Sequence, residues 1–330
     1  MTLGLVAERA GVSPSTVSRI LNGTAVVSGD KREAVDRAIA ELGFVPNPVA
    51  RGLAGGRTLS IGVLTQAIDS PFYGVELRGI EDELDRAGYS ALYVSGHWNA
   101  AEEARCIDVL RSRRVDGIIV LTGRLSDQAL RAYAKSLPVV VTGRALKAAG
   151  LFSLNFDNLG GARMATEHLL ALGHKRIACI TGDAAHPDAV ERLEGYRLAL
   201  KHAGVAYDAG LVVAGQFHEQ SGHVAMDQLL DSRRRFTAVF ACNDQMAFGA
   251  ALALHRRRLR VPDDVSLVGF DDLGSAMFTI PPLSTVHQPA YDLGRIAAQS
   301  ILQLLTGKKP DVKVPEPRFV VRESSRQLRG

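Results

Sequence analysis

Carboxylate, amide and guanidinium side chains recur just beyond apolar, β-branched runs of this 330-residue sequence, where they could grip a small polar ligand. Gln66, Asp69, Phe72 and Tyr73 follow LSIGVLT, and Asp157 follows LNF. Arg192 lies in AVERLEGYR, downstream of CITG, and Phe217 follows LVVAGQ. Asn243 and Asp244 follow VFAC, and Asp271 follows LVGF. The polar members can make paired hydrogen bonds to vicinal hydroxyls, while Phe72, Tyr73 and Phe217 can pack against C–H faces. Plainer roles stand beside these. Asn243 fits a helix cap, with Asp244 serving the helix dipole. Phe72 or Tyr73 fits an interface and Asp272 a turn, while His97 with Trp98 fits the cleft mouth or, more simply, a solvent-edge loop.

A second constellation lies near the N-terminus, where Ser13, Pro14, Ser15, Thr16, Ser18, Arg19 and Asn22 come close together. Ser13, Thr16, Ser18 and Asn22 suit phosphate oxygens, and Arg19 can make the bidentate contact to guanine that reads a major groove. Three short helices would carry them. Thr2 is placed to cap the first, whose Leu3, Val6, Ala7 and Ala10 share one face. Gly11 ends it, and Ser13-Pro14 restarts the chain with Pro at the first helical position, where a missing N–H costs nothing. Val17, Ile20 and Leu21 give the second helix its buried side. A third follows Ser28-Gly29-Asp30, with Val35, Ala38, Ile39 and Leu42 as its stripe. A turn of only Gly11 to Ser13 predicts a helix-turn-helix, its second helix entering the groove. A small three-helix bundle with solvated polar faces is the bland alternative.

From Thr58 onward, apolar runs (LSIGVL, ALYVSG, VDGIIVL, PVVVTG, then RIACITG, LVVAG, TAVFACN, VSLVGFD) alternate with helical stretches. Near-continuous apolar strands separated by helices indicate parallel sheets covered on both faces, and their number exceeds one ordinary sheet. The expected fold is therefore an all-α helix-turn-helix headpiece plus an α/β core of two doubly wound parallel-sheet lobes. Ligands of such sheets bind beyond the carboxyl ends of the strands, which puts the candidates above in the cleft between lobes.

The strings AGVSPSTVSRILNG and ELGFVPNPVARGLAGGRTLSIGV resemble the headpiece and hinge of the lactose/galactose repressor (LacI/GalR) family of bacterial transcription regulators, and further matches run over nearly the whole chain. Leu5 departs from the pattern, since the family usually carries an acid there. The resemblance implies a core of the periplasmic-binding-protein type and effector contacts at the positions of Arg192, Phe217, Asn243 and Asp271. It also implies that Asn47–Ala54, too short to hold a helix alone, orders on operator DNA. Asn47, Ala50 and Leu53 would then contact DNA, with Leu53 as a wedge in the minor groove. The domains expected are a headpiece over 1–46, a hinge over 47–57 and a two-lobed domain over 58–330. Within that domain, the N-lobe takes about 58–158 and 289–318, and the C-lobe about 159–288 and 319–330. The implied partners are operator DNA, a small effector (a sugar, or alternatively a purine) and a second copy of the chain.

Composition agrees and excludes little. Hydrophobic residues make up 46%, charged residues 22%, and net charge is +4. Residues 1–60 hold seven Lys/Arg against five Asp/Glu, a net +2, so charge alone does not carry the argument. The N-terminus lacks a secretory pattern and no run suits a bilayer, so a cytoplasmic protein without membrane contact is expected. That same N-terminus and the headpiece argue against a transporter's solute-binding protein. His174 and His186 lie near carboxylates, yet there is no nucleophile elbow, metal-ligand spacing or phosphate loop, so neither an enzyme nor a cofactor is expected. Cys106, Cys179 and Cys242 read as small buried hydrophobes. A leucine-heptad tail is missing after VVRESS, which favours a dimer over a tetramer.

Overall fold

The computed structural model describes residues 2–21, 27–44 and 56–329. Contacts divide them into two units, one holding residues up to Ser60 together with Arg114–Asp116 and one holding the remainder.

The first unit begins with α1 (Leu3–Arg9), α2 (Pro14–Leu21) and α3 (Gly29–Leu42). Val6, Ala7, Val17, Ile20, Val35 and Ala38 are buried together, so each helix gives one face to a small common core. Pro14 opens α2, and the Ser13 hydroxyl accepts from the Thr16 amide at 3.2 Å, which is the expected cap. Thr2 stands at the start of α1, but its side chain makes no capping bond. The third helix starts at Gly29, within the tripeptide expected to precede it, and ends at Gly43 in the left-handed region. After the hinge segment, the Asp116 carboxylate accepts from the Thr58 and Leu59 amides, each at 2.8 Å. The Thr58 hydroxyl donates to the Arg114 carbonyl at 2.8 Å.

The second unit contains two sheets. The first has the order β2-β1-β3-β4-β5, from β1 (Ser60–Thr65), β2 (Ser90–Ser95), β3 (Gly117–Val120), β4 (Val139–Thr142) and β5 (Leu151–Leu154). The helices α4 (Pro71–Arg86), α5 (Ala100–Ser112) and α6 (Asp127–Tyr133) connect its strands. The second sheet has the order β11-β10-β9-β8-β6-β7, from β6 (Ile177–Thr181), β7 (Val212–Ala214), β8 (Ala238–Ala241), β9 (Ser266–Asp271), β10 (Ser284–His287) and β11 (Arg318–Val320). Its helices are α7 (Asn158–Ala171), α8 (Pro187–His202), α9 (Glu219–Asp231) and α10 (Asp244–Arg256). Strands β3, β6, β8 and β9 are buried along their whole length, which explains why they read as continuous apolar runs. Only β11 pairs antiparallel among the described pairings.

The chain passes between lobes after β5, again after β10 into α11 (Ala290–Leu305), and back before β11. Although α11 comes late in sequence, it packs against α4 and the first sheet. Two glycines allow this. A Cβ on Gly79 would sit 2.0 Å from the Tyr291 carbonyl oxygen, and one on Gly294 would sit 2.0 Å from that of Glu76. The two helices therefore meet backbone to backbone. Among the described residues, no helix is long and apolar enough to cross a membrane.

Candidate functional site

The proposed DNA-reading face is on α2. Ser13, Pro14, Ser15 and Arg19 are exposed, and Thr16 and Ser18 are half-buried, while Val17 and Ile20 turn into the core. The Ser13 hydroxyl also bonds the hydroxyls of Ser15 at 2.9 Å and Thr16 at 2.8 Å, so the start of the helix presents a joined hydroxyl cluster. Asn22, Asn47, Ala50 and Leu53 lie outside the described residues.

The carboxyl ends of both sheets face a cavity of about 700 Å³ between the lobes. Seven of the expected residues line it: Asp69, Phe72, Tyr73, Arg192, Phe217, Asn243 and Asp271. Arg192, on α8, is 4% exposed and forms the centre of the deep end. Its guanidinium donates to Asn158 Oδ1 (2.9 Å), the Cys242 carbonyl (2.6 Å), Gln288 Oε1 (3.0 Å) and Asp271 Oδ1 (3.4 Å). It also lies over the Phe270 ring, 3.8 Å from the centroid. Burial pushes the Asp271 carboxyl up to about 7, against the pull of Arg192. Asn243 takes the capping role while keeping a place in the cavity wall. Its Oδ1 caps α10 by accepting from the Met246 amide, its Nδ2 donates to the Phe217 carbonyl, and it still lines the cavity.

Three expected contacts are corrected by their placement. Gln66 is fully buried behind the wall, where Oε1 accepts from the Trp98 amide at 2.9 Å and so supports the loop carrying that ring. Asp157 caps α7 through the Gly160 amide and is exposed away from the cavity. Asp244 is fully buried, accepting from the Thr285 hydroxyl at 2.6 Å and the Leu273 amide at 2.8 Å, and burial holds its carboxyl well above the usual range. All three are strand-end residues, but their acceptors are engaged inside the scaffold.

Among the other lining residues, His186, Arg124 and Asp183 were not expected as contacts, and Trp98 was given the plainer of its two readings. Trp98 is a wall residue rather than a solvent edge, and His186 lines the opposite side. Their ring centroids are 4.1 Å apart, and His186 lies 4.9 Å from Phe217. On the other flank Trp98 is 6.4 Å from Tyr73, itself 5.6 Å from Phe72. Five rings thus form one run from the first lobe to the second. Burial drives the His186 imidazole down to about 4, so it is neutral at pH 7, and its Nδ1 has no hydrogen-bond partner. Arg124 and Asp183 pair across the mouth at 2.8 Å. The signal that finds these residues is the one used for the rest, since YVSG, LTG and ITG also end strands. Trp98 (φ 55°), Phe217 (φ 62°) and Asp271 (φ 115°) all hold left-handed backbone without being glycine. Such strain collects at ligand sites that the surrounding fold over-determines.

Residues 2–47 match the family described as bacterial regulatory proteins, lacI family, and residues 166–325 match a periplasmic binding protein-like domain. The HTH-type transcriptional repressor PurR of Haemophilus influenzae is 33% identical over 334 residues, covering 99% of each chain. The chain belongs to the LacI family. This LacI-family protein is accordingly a DNA-binding transcriptional repressor in class, with a helix-turn-helix and a periplasmic-binding-protein-like core. The ribose operon repressor of Escherichia coli K12 is 38% identical over 308 residues, covering 92% of this chain and 93% of that protein. Among solved structures, a Lac repressor dimer bound to operator and the anti-inducer ONPF superposes with a TM-score of 0.88 at 32% identity, covering 99% of each chain. A complex of the transcriptional regulator CelR with cellobiose gives 0.74 at 37% identity, covering 98% of this chain and 99% of that one.

Proposed function

We propose that the protein binds a palindromic operator as a homodimer, and that a neutral sugar in the interlobe cavity controls the binding. The cavity wall carries this reading. Carboxylates and amides suited to hydroxyls alternate with aromatic rings, and both arginines are already ion-paired. The cellobiose bound to CelR and the ribose in the E. coli ribose operon repressor's name point the same way. A two-fold dimer would offer two headpieces to two symmetry-related half-sites. In each, Ser13 and the exposed side of α2, together with Asn22, would read the major groove, and Asn47, Ala50 and Leu53 would engage the minor groove. Sugar binding would change the angle between lobes and so align or separate the paired hinges. A purine is the second reading, because the flat rings of Tyr73 and Phe217 also suit a base.

The test begins by selecting a binding site from random duplexes with the full-length protein, which should return an inverted repeat. Sugars should then change operator affinity in an anisotropy titration. Leu53→Ala should weaken operator binding by about 100-fold while sugar affinity persists, given an unstacking wedge worth a few kcal/mol. Equal operator affinity in the variant removes the wedge, and indifference to every sugar removes the effector.

A further inference from the structure

We infer that the effector is an uncharged saccharide of two rings, one held at the deep end of the cavity and the other at its mouth. This rests on the sugar reading above and narrows it by size, by charge and by the placement of the rings.

Size comes first. On the scale of about 30 Å³ per liquid water, a hexose fills roughly 170 Å³ and a two-ring sugar roughly 330 Å³. A cavity of about 700 Å³ is about a quarter filled by a single hexose and about half filled by a two-ring sugar. Small-ligand sites bury most of the surface of what they bind.

Charge excludes phosphorylated and carboxylated sugars. Asp69, Asp183, Asp188, Glu219 and Asp271 line the cavity against two guanidiniums. Both guanidiniums are paired, Arg124 with Asp183 at 2.8 Å and Arg192 with Asp271 at 3.4 Å. The His186 imidazole is held neutral by burial. An anion would therefore meet surplus carboxylate and displace an existing partner to find a cation.

The wall also has two separate grips. At the deep end, Phe217 lies beside Arg192, 5.9 Å from its guanidinium carbon, with Asn243 bonded to the Phe217 carbonyl. Arg192, Asp271 and Asn243 are each at most 6% exposed. At the mouth, Trp98 lies tilted against His186, whose amide donates to the Asp183 carbonyl at 2.9 Å, and Asp183 reaches Arg124. The Arg124 and Asp183 side chains are 39% and 50% exposed. Each end thus pairs an aromatic platform with charged hydroxyl binders, and His186 bridges the platforms. One sugar ring uses Phe217 and the buried trio, and the second uses Trp98 and the Arg124–Asp183 pair.

The experiment is calorimetric titration of the full chain with cellobiose, maltose, sucrose and other neutral disaccharides, with glucose, fructose and ribose, and with glucose 6-phosphate and hypoxanthine. A disaccharide should bind at least about tenfold more tightly than either of its component monosaccharides. Trp98→Ala should cost that disaccharide about tenfold, leave a monosaccharide's Kd within about threefold, and be largely rescued by Trp98→Phe. A monosaccharide that binds as tightly as every disaccharide, or a Trp98→Ala loss equal for both, overturns the two-ring inference and leaves the sugar reading standing. Tightest binding of hypoxanthine or glucose 6-phosphate, or no heat from any neutral saccharide, overturns both.

Discussion

Arg192 shows how a single buried cation organises a site. Four acceptors from two elements and two loops converge on its guanidinium, so the side chain is less a free ligand hook than the pin that fixes Asp271 and Asn158. Removing it leaves the Asp271 carboxylate buried and alone. Arg192→Met should destabilise the fold by about 3 kcal/mol or more, and adding Asp271→Asn should restore part of the loss. Urea denaturation checks this, and a double variant no more stable than the single one would refute it. Glu76 is a second buried acid, with burial and Asp188 pushing its carboxyl up to about 8. Between about 4.5 and 8 the folded chain holds a proton there that the unfolded chain has lost, so stability falls as pH rises through that window. Asp271, raised to about 7, adds to the same slope. His186, lowered to about 4, acts oppositely and only below its ordinary 6.5. From pH 6.5 to 8, Glu76→Gln should therefore flatten the fall in melting temperature, and parallel wild-type and variant curves would contradict it. The places of Asn243, Phe217 and Asp271 in the cavity wall were legible because strand ends of parallel sheets face the cleft, and Arg192 reaches the wall from the helix that follows such an end. Strand-end position does not say which way a carboxylate turns, and Asp244 and Asp157 turned toward amides of their own scaffold.

At the scale of elements, the headpiece was almost wholly readable, because capping residues and 3.6-residue periodicity are local signals. Thr2 was the exception, a residue of capping type whose hydroxyl makes no cap. The anchor that follows the hinge was not readable, since Asp116 lies 57 residues from Leu59 in sequence. Its two oxygens hold consecutive amides and fix the chain where it leaves the hinge segment. Asp116→Ala should release those amides to solvent without disturbing a core. Limited trypsin digestion after Arg57 should then run about tenfold faster, because cleavage tracks local opening. An unchanged rate would mean that the Thr58 contact to Arg114 suffices.

For the whole molecule, alternating strands and helices announced two lobes, and the division expected from the resemblance already gave 289–318, with the late helix, to the early lobe; what it did not show was the contact that holds the helix there. That assignment depends on α11 meeting α4 at Gly79 and Gly294, a pairing across more than two hundred residues. The cleft between the lobes was expected, but the side-chain contacts that close it were not. The ring run and the Arg124–Asp183 pair take members from both lobes, so neither half-sequence contains the site. An effector that touches both halves can bias their angle, whereas one that touched a single lobe could not.

The glycine crossing also has a genetic consequence. An alanine at position 79 or 294 must push two helices apart by several tenths of an ångström or more, a strain of about 1–3 kcal/mol. That is small against the stability of a cool cell and large against the margin left near melting. Gly79→Ala and Gly294→Ala should therefore be conditional alleles, silencing a reporter at low temperature and losing control of it when the culture is warmed. Wild-type control by both alleles at every growth temperature would mean that the crossing relaxes without loss.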